Sequence, residues 1–318
     1  MSQFSLRIGV DGGGTTTRAI ALDENGSVVG RGEAPSSNHY SVGMGRAARH
    51  IMSAIDDALE GAGAPLEAVA SWGLGLAGAC THAEQALWHE ALAPILGAVP
   101  FVVDEDAAAA WAGAFAGGLA ATSTPGLTDM AGAICIAGTG ANCFGVNERG
   151  ERVRADGLGP LLGDRGSGYA VGEAALRAVC RAHDGSGPPT SLLSAVLKTW
   201  HLASVDELVQ HVYRPDWAKS EAAALFPLVL EAAEGGDAVA KNLLYQAGHD
   251  LAATTRAVLQ SLGVDRLAPC GGILVRETPV RTTWEADLRR TFPDLRIQEP
   301  RFEPVIGAAL LPSLQRTD

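Results

Sequence analysis

The loop Asp11–Thr17, Asp-Gly-Gly-Gly-Thr-Thr-Thr, ends the first apolar run of the chain, and a degenerate copy, Ala137–Ala141, follows about 126 residues later. Each copy has a β-branched run, a tight Gly/Thr turn, a second run and a polar hairpin turn. Glycine lets backbone N–H groups point at a phosphate, and threonine hydroxyls add donors. Only the first copy carries a carboxylate, Asp11. The pair predicts a polyphosphate clamped between two related halves, with Asp11 anchoring Mg²⁺.

Three consecutive carboxylates, Asp104, Glu105 and Asp106, follow a short apolar run at the start of an alanine-rich segment. Acidic residues cap helices and favour their N-terminal ends, and we expect at least one of the three to do only this. A general base at the carboxyl end of a strand is the functional interpretation, because α/β sheets place ligands there. Two phosphate-type loops accompany the cluster, so the functional interpretation is favoured.

The segment Gly157–Gly168 has five glycines in twelve residues and therefore predicts a loop, which feeds a helix beginning near Ser167. Ser167 is the expected N-cap. Asp164 either accepts hydrogen bonds from a sugar or stabilises the turn, and both interpretations stay open. Taken alone, Asn38 would be a loop residue or a cap. The pair Gly271–Gly272 follows a strand and would let an adenine or ribose lie against the backbone.

Two common nucleotide motifs are not supported. Gly73–Gly78 matches G-x-G-x-x-G, yet no acidic residue follows at the expected distance, and its strand is not the first of a βαβ unit. These glycines are expected to let the backbone approach a ligand or another strand. The chain has no Gly-Lys pair, which excludes a Walker A loop.

Apolar periodicity predicts the order β-β-β-α-β-α-β-α in the first half, which describes an RNase H-like unit. The segment 122–126 has the composition of a linker, and after it the pattern restarts. The predicted domains are residues 1–119 with a C-terminal helix at 303–318, and residues 120–302 with a helical insertion. The predicted elements are strands at Leu6–Val10, Thr17–Leu22, Val28–Gly32, Val69–Leu76, Val99–Val103, Ala133–Ala137, Asn142–Val146, Leu267–Pro269 and Leu295–Gln298, and helices at Met44–Leu59, Ala83–Leu92, from Ala107, within Ser167–Leu262, at Thr283–Thr291 and at Val305–Leu314.

Composition limits the classes of partner. The 318 residues carry a net charge of −12, which disfavours nucleic acid and anionic membranes, so neither is an expected partner. The five cysteines form no C-x-x-C pair, which argues against zinc or iron–sulfur ligation and indicates a reducing compartment. No signal peptide precedes the first strand, and a cytoplasmic location is expected. The assembly state is left open, a homodimer included.

Taken together, these segments resemble the actin/hexokinase/Hsp70 superfamily, and within it the BadF/BadG/BcrA/BcrD-type ATPases and N-acetylglucosamine kinases. The resemblance implies an α/β fold of two RNase H-like domains with a nucleotide cleft between them. It covers nearly the whole chain and rests on five motifs in order. The motifs are Asp11–Thr15, Asn38–His39, Asp106 with the alanines after it, Ala137–Asn142 with Gly157–Ser167, and Cys270–Gly272.

The resemblance also implies roles for individual residues. The catalytic base of the family's sugar kinases corresponds to Asp106 and not to Asp104, and Asp11 would hold Mg²⁺ through water. Leu158 stands where these kinases usually have Trp, and Arg165 where they have an acidic residue, so the sugar pocket is expected to differ. The ATP-binding residues would be Gly13, Gly14, Thr15, Gly138, Thr139, Gly140, Gly271 and Gly272. The substrate-binding residues would be Asn38, Asp106, Asn142, Gly157, Leu158, Gly159 and Asp164.

The activity that the resemblance implies is ATP-dependent phosphorylation of an amino-sugar hydroxyl, with O6 of N-acetylglucosamine as the expected acceptor and Mg²⁺ as the cofactor. Glucosamine and N-acetylmuramic acid are alternative substrates. Two alternatives of another class are an ATPase that activates a radical enzyme and a non-enzymatic sugar sensor. The first would need paired cysteines, and the second would be expected to lack Asp11 and Asp106.

Overall fold

The computed structural model describes residues 5–120 and 126–314, and the chain divides into two compact units. Unit 1 comprises Met1–Ile134, Phe144–Arg152 and Glu299–Asp318, and unit 2 comprises Cys135–Cys143 and Val153–Gln298. Of the linker predicted at 122–126, only Gly126 lies within the described residues. Unit 1 is therefore discontinuous in sequence.

The first sheet contains β1 (Leu6–Gly12), β2 (Thr16–Leu22), β3 (Val28–Pro35), β4 (Val69–Leu76) and β5 (Phe101–Glu105). Its order is β3-β2-β1-β4-β5, with antiparallel pairing among β1, β2 and β3 and parallel pairing of β4 with β1 and β5. Asp11 lies opposite Gly75 of β4, and Gly75 lies opposite Asp104 of β5. The sheet therefore brings two of the predicted carboxylates into one row, separated by a glycine.

The helices that follow these strands are α1 (His39–Val42), α2 (Met44–Ala62), α3 (His82–Leu96), α4 (Asp106–Phe115) and α5 (Leu127–Met130). The apolar spacing of α2 has the predicted result, because Ile51, Ile55 and Leu59 are all buried. Left-handed Gly63 ends this helix. The α1 turn was not predicted, since four residues are too few for a periodic pattern.

The second sheet contains β6 (Gly132–Ala137), β7 (Ala141–Val146), β8 (Arg152–Asp156), β9 (Arg266–Cys270) and β10 (Arg296–Ile297). Its order is β10-β9-β6-β7-β8. Taken from the other edge, β8-β7-β6-β9-β10, this is the same strand order as in the first sheet, third-second-first-fourth-fifth. The prediction of two RNase H-like folds is confirmed. The strand β8 was not predicted, because it is a short edge strand in which Arg152 and Arg154 leave little apolar signal.

The remaining helices before the last strand are α6 (Gly168–His183), α7 (Leu192–Thr199), α8 (Val205–Val212), α9 (Lys219–Ala223), α10 (Phe226–Glu234), α11 (Ala238–Leu262) and α12 (Pro279–Thr291). Ser167 caps α6, as predicted, since its side chain accepts from the N–H of Ala170 at 3.1 Å. Across residues 5–120 and 126–314, no helix is long and apolar enough to cross a membrane.

The last helix, α13 (Pro304–Leu314), belongs to unit 1 and packs with its backbone in direct contact with other elements of that unit. A Cβ on Gly73 of β4 would overlap the carbonyl oxygen of Ala308, and a Cβ on Gly307 would overlap that of Ala109 in α4. A Cβ on Gly75 would likewise overlap the side chain of Ala109. The interpretation of Gly73 and Gly75 as sites of ligand or strand approach was therefore wrong, because helices occupy that space.

Candidate active site

The first phosphate hairpin connects β1 to β2. The N–H of Gly13 donates to the carbonyl oxygen of Thr16 at 3.0 Å, which closes a tight turn. Gly14 and Thr15 are exposed at its tip, and nothing would lie within 4 Å of a Cβ on Gly14. Of the three residues predicted here to bind ATP, Gly14 and Thr15 therefore present backbone outward, whereas the amide of Gly13 is engaged within the turn.

The ionised form of the Asp11 carboxylate is electrostatically unfavourable in the folded protein. Burial raises its pKa from 3.8 to about 7; the nearby charge of Asp106 adds to the rise, and Arg18 opposes it. Arg18 is its cross-strand neighbour on β2. A divalent cation beside Asp11 would relieve both the burial penalty and the repulsion, so this side chain fits the predicted Mg²⁺ anchor. Magnesium is commonly held by one or two carboxylates together with substrate phosphates.

Asp106 is the first residue of α4, directly after β5. Its Oδ1 accepts from the N–H of Ala107 at 2.9 Å. The residue in the N-cap position is Glu105, whose side chain makes no capping hydrogen bond. The cluster therefore does not cap α4 in the usual way. Asp106 stands at the carboxyl end of a parallel strand, where α/β sheets place ligands.

Asp104 is held by a partner that was not predicted from the sequence. Arg152 of β8 donates through its two terminal nitrogens to the two carboxylate oxygens, at 2.9 and 2.8 Å. The guanidinium also lies 5.0 Å from the ring centre of Phe144. Bidentate pairs of this kind are strong and directional. Asp104 is thereby committed to an ion pair, which leaves Asp106 as the better placed candidate for a base.

The second phosphate hairpin, between β6 and β7, has the same kind of turn. The N–H of Gly138 donates to the carbonyl oxygen of Gly140 at 2.9 Å. The first amides of α6 bind this hairpin, because Gly168 donates to Gly138 and Tyr169 donates to Thr139, at 2.8 and 3.2 Å. The hairpin is therefore held in place by the N-terminus of α6.

Asp156 organises the glycine-rich loop, and its role was not predicted. Its side chain is 1% exposed and accepts from the N–H groups of Gly157, Asp164 and Arg165. It also accepts from Nε of Arg165 at 3.0 Å. The sequence signal would have been a carboxylate just before the first glycine. Arg165 pairs with Asp156, and its effect on the charge of the sugar pocket stays a prediction.

Asp164 connects this loop to the second hairpin. It is 5% exposed, adopts a left-handed φ of 56°, and its Oδ1 accepts from the N–H of Ala141 at 3.1 Å. Its Oδ2 lies 3.9 Å from Nζ of Lys219. Burial raises the pKa of Asp164, and the Ala141 hydrogen bond and Lys219 oppose this rise. Asp164 thus stabilises a contact between segments and not simply its own turn.

Asn142 and the glycine-rich loop meet. A Cβ on Gly157, whose φ is 71°, would lie 2.8 Å from Cβ of Asn142. Within the described part of the chain, the buried Oδ1 of Asn142 has no hydrogen-bond partner. Gly159 also has a left-handed φ, 79°, and Leu158 between the two glycines is 58% exposed. An orphaned acceptor beside an open loop is what a sugar hydroxyl could satisfy.

Asn38 is the N-cap of α1, and its Oδ1 accepts from the N–H of Tyr40 at 3.0 Å. Its side-chain amide group is the end that remains to donate to a sugar oxygen. Gly271, with a φ of 81°, lies so close to the second hairpin that a Cβ would overlap the carbonyl oxygen of Ala137. Nothing would lie within 4 Å of a Cβ on Gly272, so of the predicted adenosine pair Gly272 is the open residue.

The predicted residues gather in each unit separately. In unit 1, Asp11 and Asp106 interact, and Asn38 follows Ser36, which binds Gly13. In unit 2, hydrogen bonds and close packing connect the second hairpin with Asn142, Gly157, Asp164 and Gly271. In the described ranges there is no group of three or more His, Cys, Asp or Glu residues suited to hold a metal ion.

Comparison with known proteins gives three findings. The family model of the BadF/BadG/BcrA/BcrD ATPase family matches residues 8–312. The N-acetyl-D-glucosamine kinase of Dictyostelium discoideum is 31% identical over 320 residues, which are 96% of each chain. The N-acetylmuramic acid/N-acetylglucosamine kinase of Clostridium acetobutylicum is 27% identical, and the match covers 96% of this chain and 97% of that one. The crystal structure of a putative N-acetylglucosamine kinase from Chromobacterium violaceum is 28% identical, with a TM-score of 0.77 over 97% and 99% of the two chains.

Proposed function

Because the chain belongs to the BadF/BadG/BcrA/BcrD ATPase family, we propose that it is an ATP-dependent kinase that phosphorylates a hydroxyl of an amino sugar. The sugar we propose is N-acetylglucosamine, and the hydroxyl is O6. The names of the two curated relatives and of the similar crystal structure support the amino-sugar class.

The observation that carries the proposal is the placement of Asp11 and Asp106 in unit 1, near enough for the charge of Asp106 to raise the pKa of Asp11. Asp106 would accept the proton of the sugar hydroxyl as the oxygen attacks the γ-phosphorus. Arg152 holds Asp104 in an ion pair, so Asp104 does not compete for this role. Phosphoryl transfer relies mainly on positioning and charge stabilisation, which a fixed base and two hairpins can supply.

The two hairpins would hold the nucleotide through backbone N–H groups, with Gly14 and Thr15 in the first and Thr139 and Gly140 in the second. Gly272 would face the adenosine. Asp11 would hold Mg²⁺ through water. When bound, the ion supplies charge neutralisation at the phosphates.

The sugar would be bound by side chains that keep hydrogen-bonding capacity. The side-chain amide of Asn38 would donate, and Oδ1 of Asn142 would accept. Leu158, Leu161 and Leu162 of the glycine-rich loop are 58%, 92% and 81% exposed. Because one relative is named for N-acetylmuramic acid as well, that larger sugar is the second candidate substrate.

The test is sugar-dependent release of ADP from Mg²⁺-ATP, measured in a coupled assay with N-acetylglucosamine, N-acetylmuramic acid, glucosamine and glucose. We expect turnover with at least one amino sugar and none without sugar. Asp106→Asn should keep nucleotide binding and lose turnover. No sugar-dependent ADP release from the whole panel would reject the kinase and favour an ATPase or a sensor.

A further inference from the structure

One serine, Ser36, joins the first phosphate hairpin to the segment that carries Asn38. Its hydroxyl donates to the carbonyl oxygen of Gly13 at 3.1 Å and accepts from the backbone N–H of Asn38 at 3.2 Å. The carbonyl oxygen of Ser36 lies 2.7 Å from Nδ1 of His50 on α2. One residue, held by a long helix, therefore contacts both the hairpin and the Asn38 segment.

The packing around Ser36 leaves little room for the two segments to move independently. Ser37 is fully buried, and a Cβ on Gly12 would overlap its hydroxyl. The start of the segment is tied to β2, because Oγ1 of Thr17 donates to the carbonyl oxygen of Pro35 at 2.8 Å. A displacement of the hairpin would therefore reach Asn38 through Ser36, since packed interiors transmit small shifts.

We propose that Ser36 is a positioning residue that couples nucleotide binding to sugar binding, an inference that rests on the proposed function. The turn it contacts has Gly14 and Thr15 exposed at its tip, where their backbone N–H groups would meet the phosphates of a bound nucleotide. The backbone amide it accepts from belongs to Asn38, whose side chain would donate to the sugar. Ordering of the hairpin by nucleotide would fix the Ser36 hydroxyl and with it the position of Asn38.

The quantity that measures this coupling is a ratio of two dissociation constants for the sugar, without and with a non-hydrolysable ATP analogue and Mg²⁺. Calorimetry gives both constants. In the parent the ratio should exceed 1, and typical couplings are about 5- to 150-fold. Ser36→Ala removes both hydroxyl hydrogen bonds, so the ratio should fall by about 2- to 10-fold. The same fall should appear in nucleotide affinity measured with and without sugar, because coupling is reciprocal.

Two control variants separate coupling from a merely structural role. Ser36→Thr keeps a hydroxyl at the same position and should restore most of the ratio. Thr17→Val removes a hydrogen bond to Pro35 at the start of the same segment, but Thr17 contacts neither Gly13 nor Asn38 through that hydroxyl. It should lower thermal stability and leave the ratio unchanged.

The outcomes are distinguishable from those of the proposed function. If the parent shows no sugar-dependent turnover, the proposed function is rejected and this inference with it. If the parent turns over normally while its ratio is 1, or while Ser36→Ala keeps the parent ratio, only the coupling is rejected. An equal loss of the ratio in Thr17→Val would also reject it, since general loosening would then explain the effect.

Discussion

Replacement of Asp11 by asparagine is expected to stabilise the protein in the absence of metal, and the gain should grow with pH. Burial, together with the charge of Asp106, raises the pKa of Asp11 from 3.8 to about 7. Between these two values the folded protein keeps a proton that the unfolded chain has released. The resulting contribution to stability is fully present below about pH 4 and is lost as the pH rises through about 7.

The size of this effect follows from the shift. At about 1.4 kcal/mol per pKa unit, the ionised side chain costs the folded state on the order of 4 kcal/mol. Between pH 5 and pH 8, this one group should lower the free energy of unfolding of the parent by about 2–3 kcal/mol. Asparagine has nearly the same shape and no charge, so the variant should be spared this loss.

The measurement is denaturant unfolding in EDTA, followed by circular dichroism, at pH 5 and pH 8. The gain of Asp11→Asn over the parent in free energy of unfolding should be about 2–3 kcal/mol larger at pH 8. Asp56→Asn, an exposed site on α2, controls for general charge effects and should show a gain that is the same at both pH values. The same pH-independent result for Asp11→Asn would refute the reasoning, since ionised Asp11 would then carry no penalty.

Three further outcomes are expected. Asp106→Asn should lower kcat by about 10²- to 10⁴-fold with ATP affinity within about twofold, whereas kcat near the parent value would require another base. Gly307→Ala should lower the free energy of unfolding by about 1–3 kcal/mol or more, because the added methyl group would overlap the backbone of Ala109. Gly117→Ala is the control in the same denaturation series and should have little effect, because the space around Gly117 is open. In steady-state kinetics, kcat/KM should be higher for N-acetylglucosamine than for glucosamine or glucose, because a site built around polar groups rejects analogues that leave those groups unpaired. A preference for glucosamine would overturn the proposed substrate but not the proposed kinase activity.

The parts of the fold that periodicity describes could be predicted from the sequence. The strand at Val69–Leu76 and the buried face of α2 follow from spacing alone. The strand β8 could not be found in this way. It lies at the edge of its sheet, and Arg152, its first residue, pairs with Asp104, which is 48 residues away. Pairings over such separations depend on the register of the sheets, which local patterns do not contain.

The candidate site likewise has parts that the sequence could predict and parts that it could not. Loop composition located the two hairpins and the glycine-rich loop, because only glycine suits such turns. It could not indicate which backbone N–H groups would be used for hydrogen bonds inside the turns, as those of Gly13 and Gly138 are. It also could not identify Asp156, which is a single carboxylate among many until the loop closes around it. The ion pair between Asp156 and Arg165 could not be found from composition for the same reason.

The seating of α13 on β1 and β4 has a consequence for biosynthesis. A ribosome delivers the first five strands long before residues 304–314. Gly9 of β1 lies as close to the backbone of Val305 in α13 as Gly73 of β4 lies to that of Ala308, and until the late segment arrives both surfaces lack this cover. Domains emerging from the ribosome usually fold in the order of synthesis, N-terminal first. Here the N-terminal unit would be completed last, so the nascent chain must keep an unfinished sheet soluble while the rest of the protein is made.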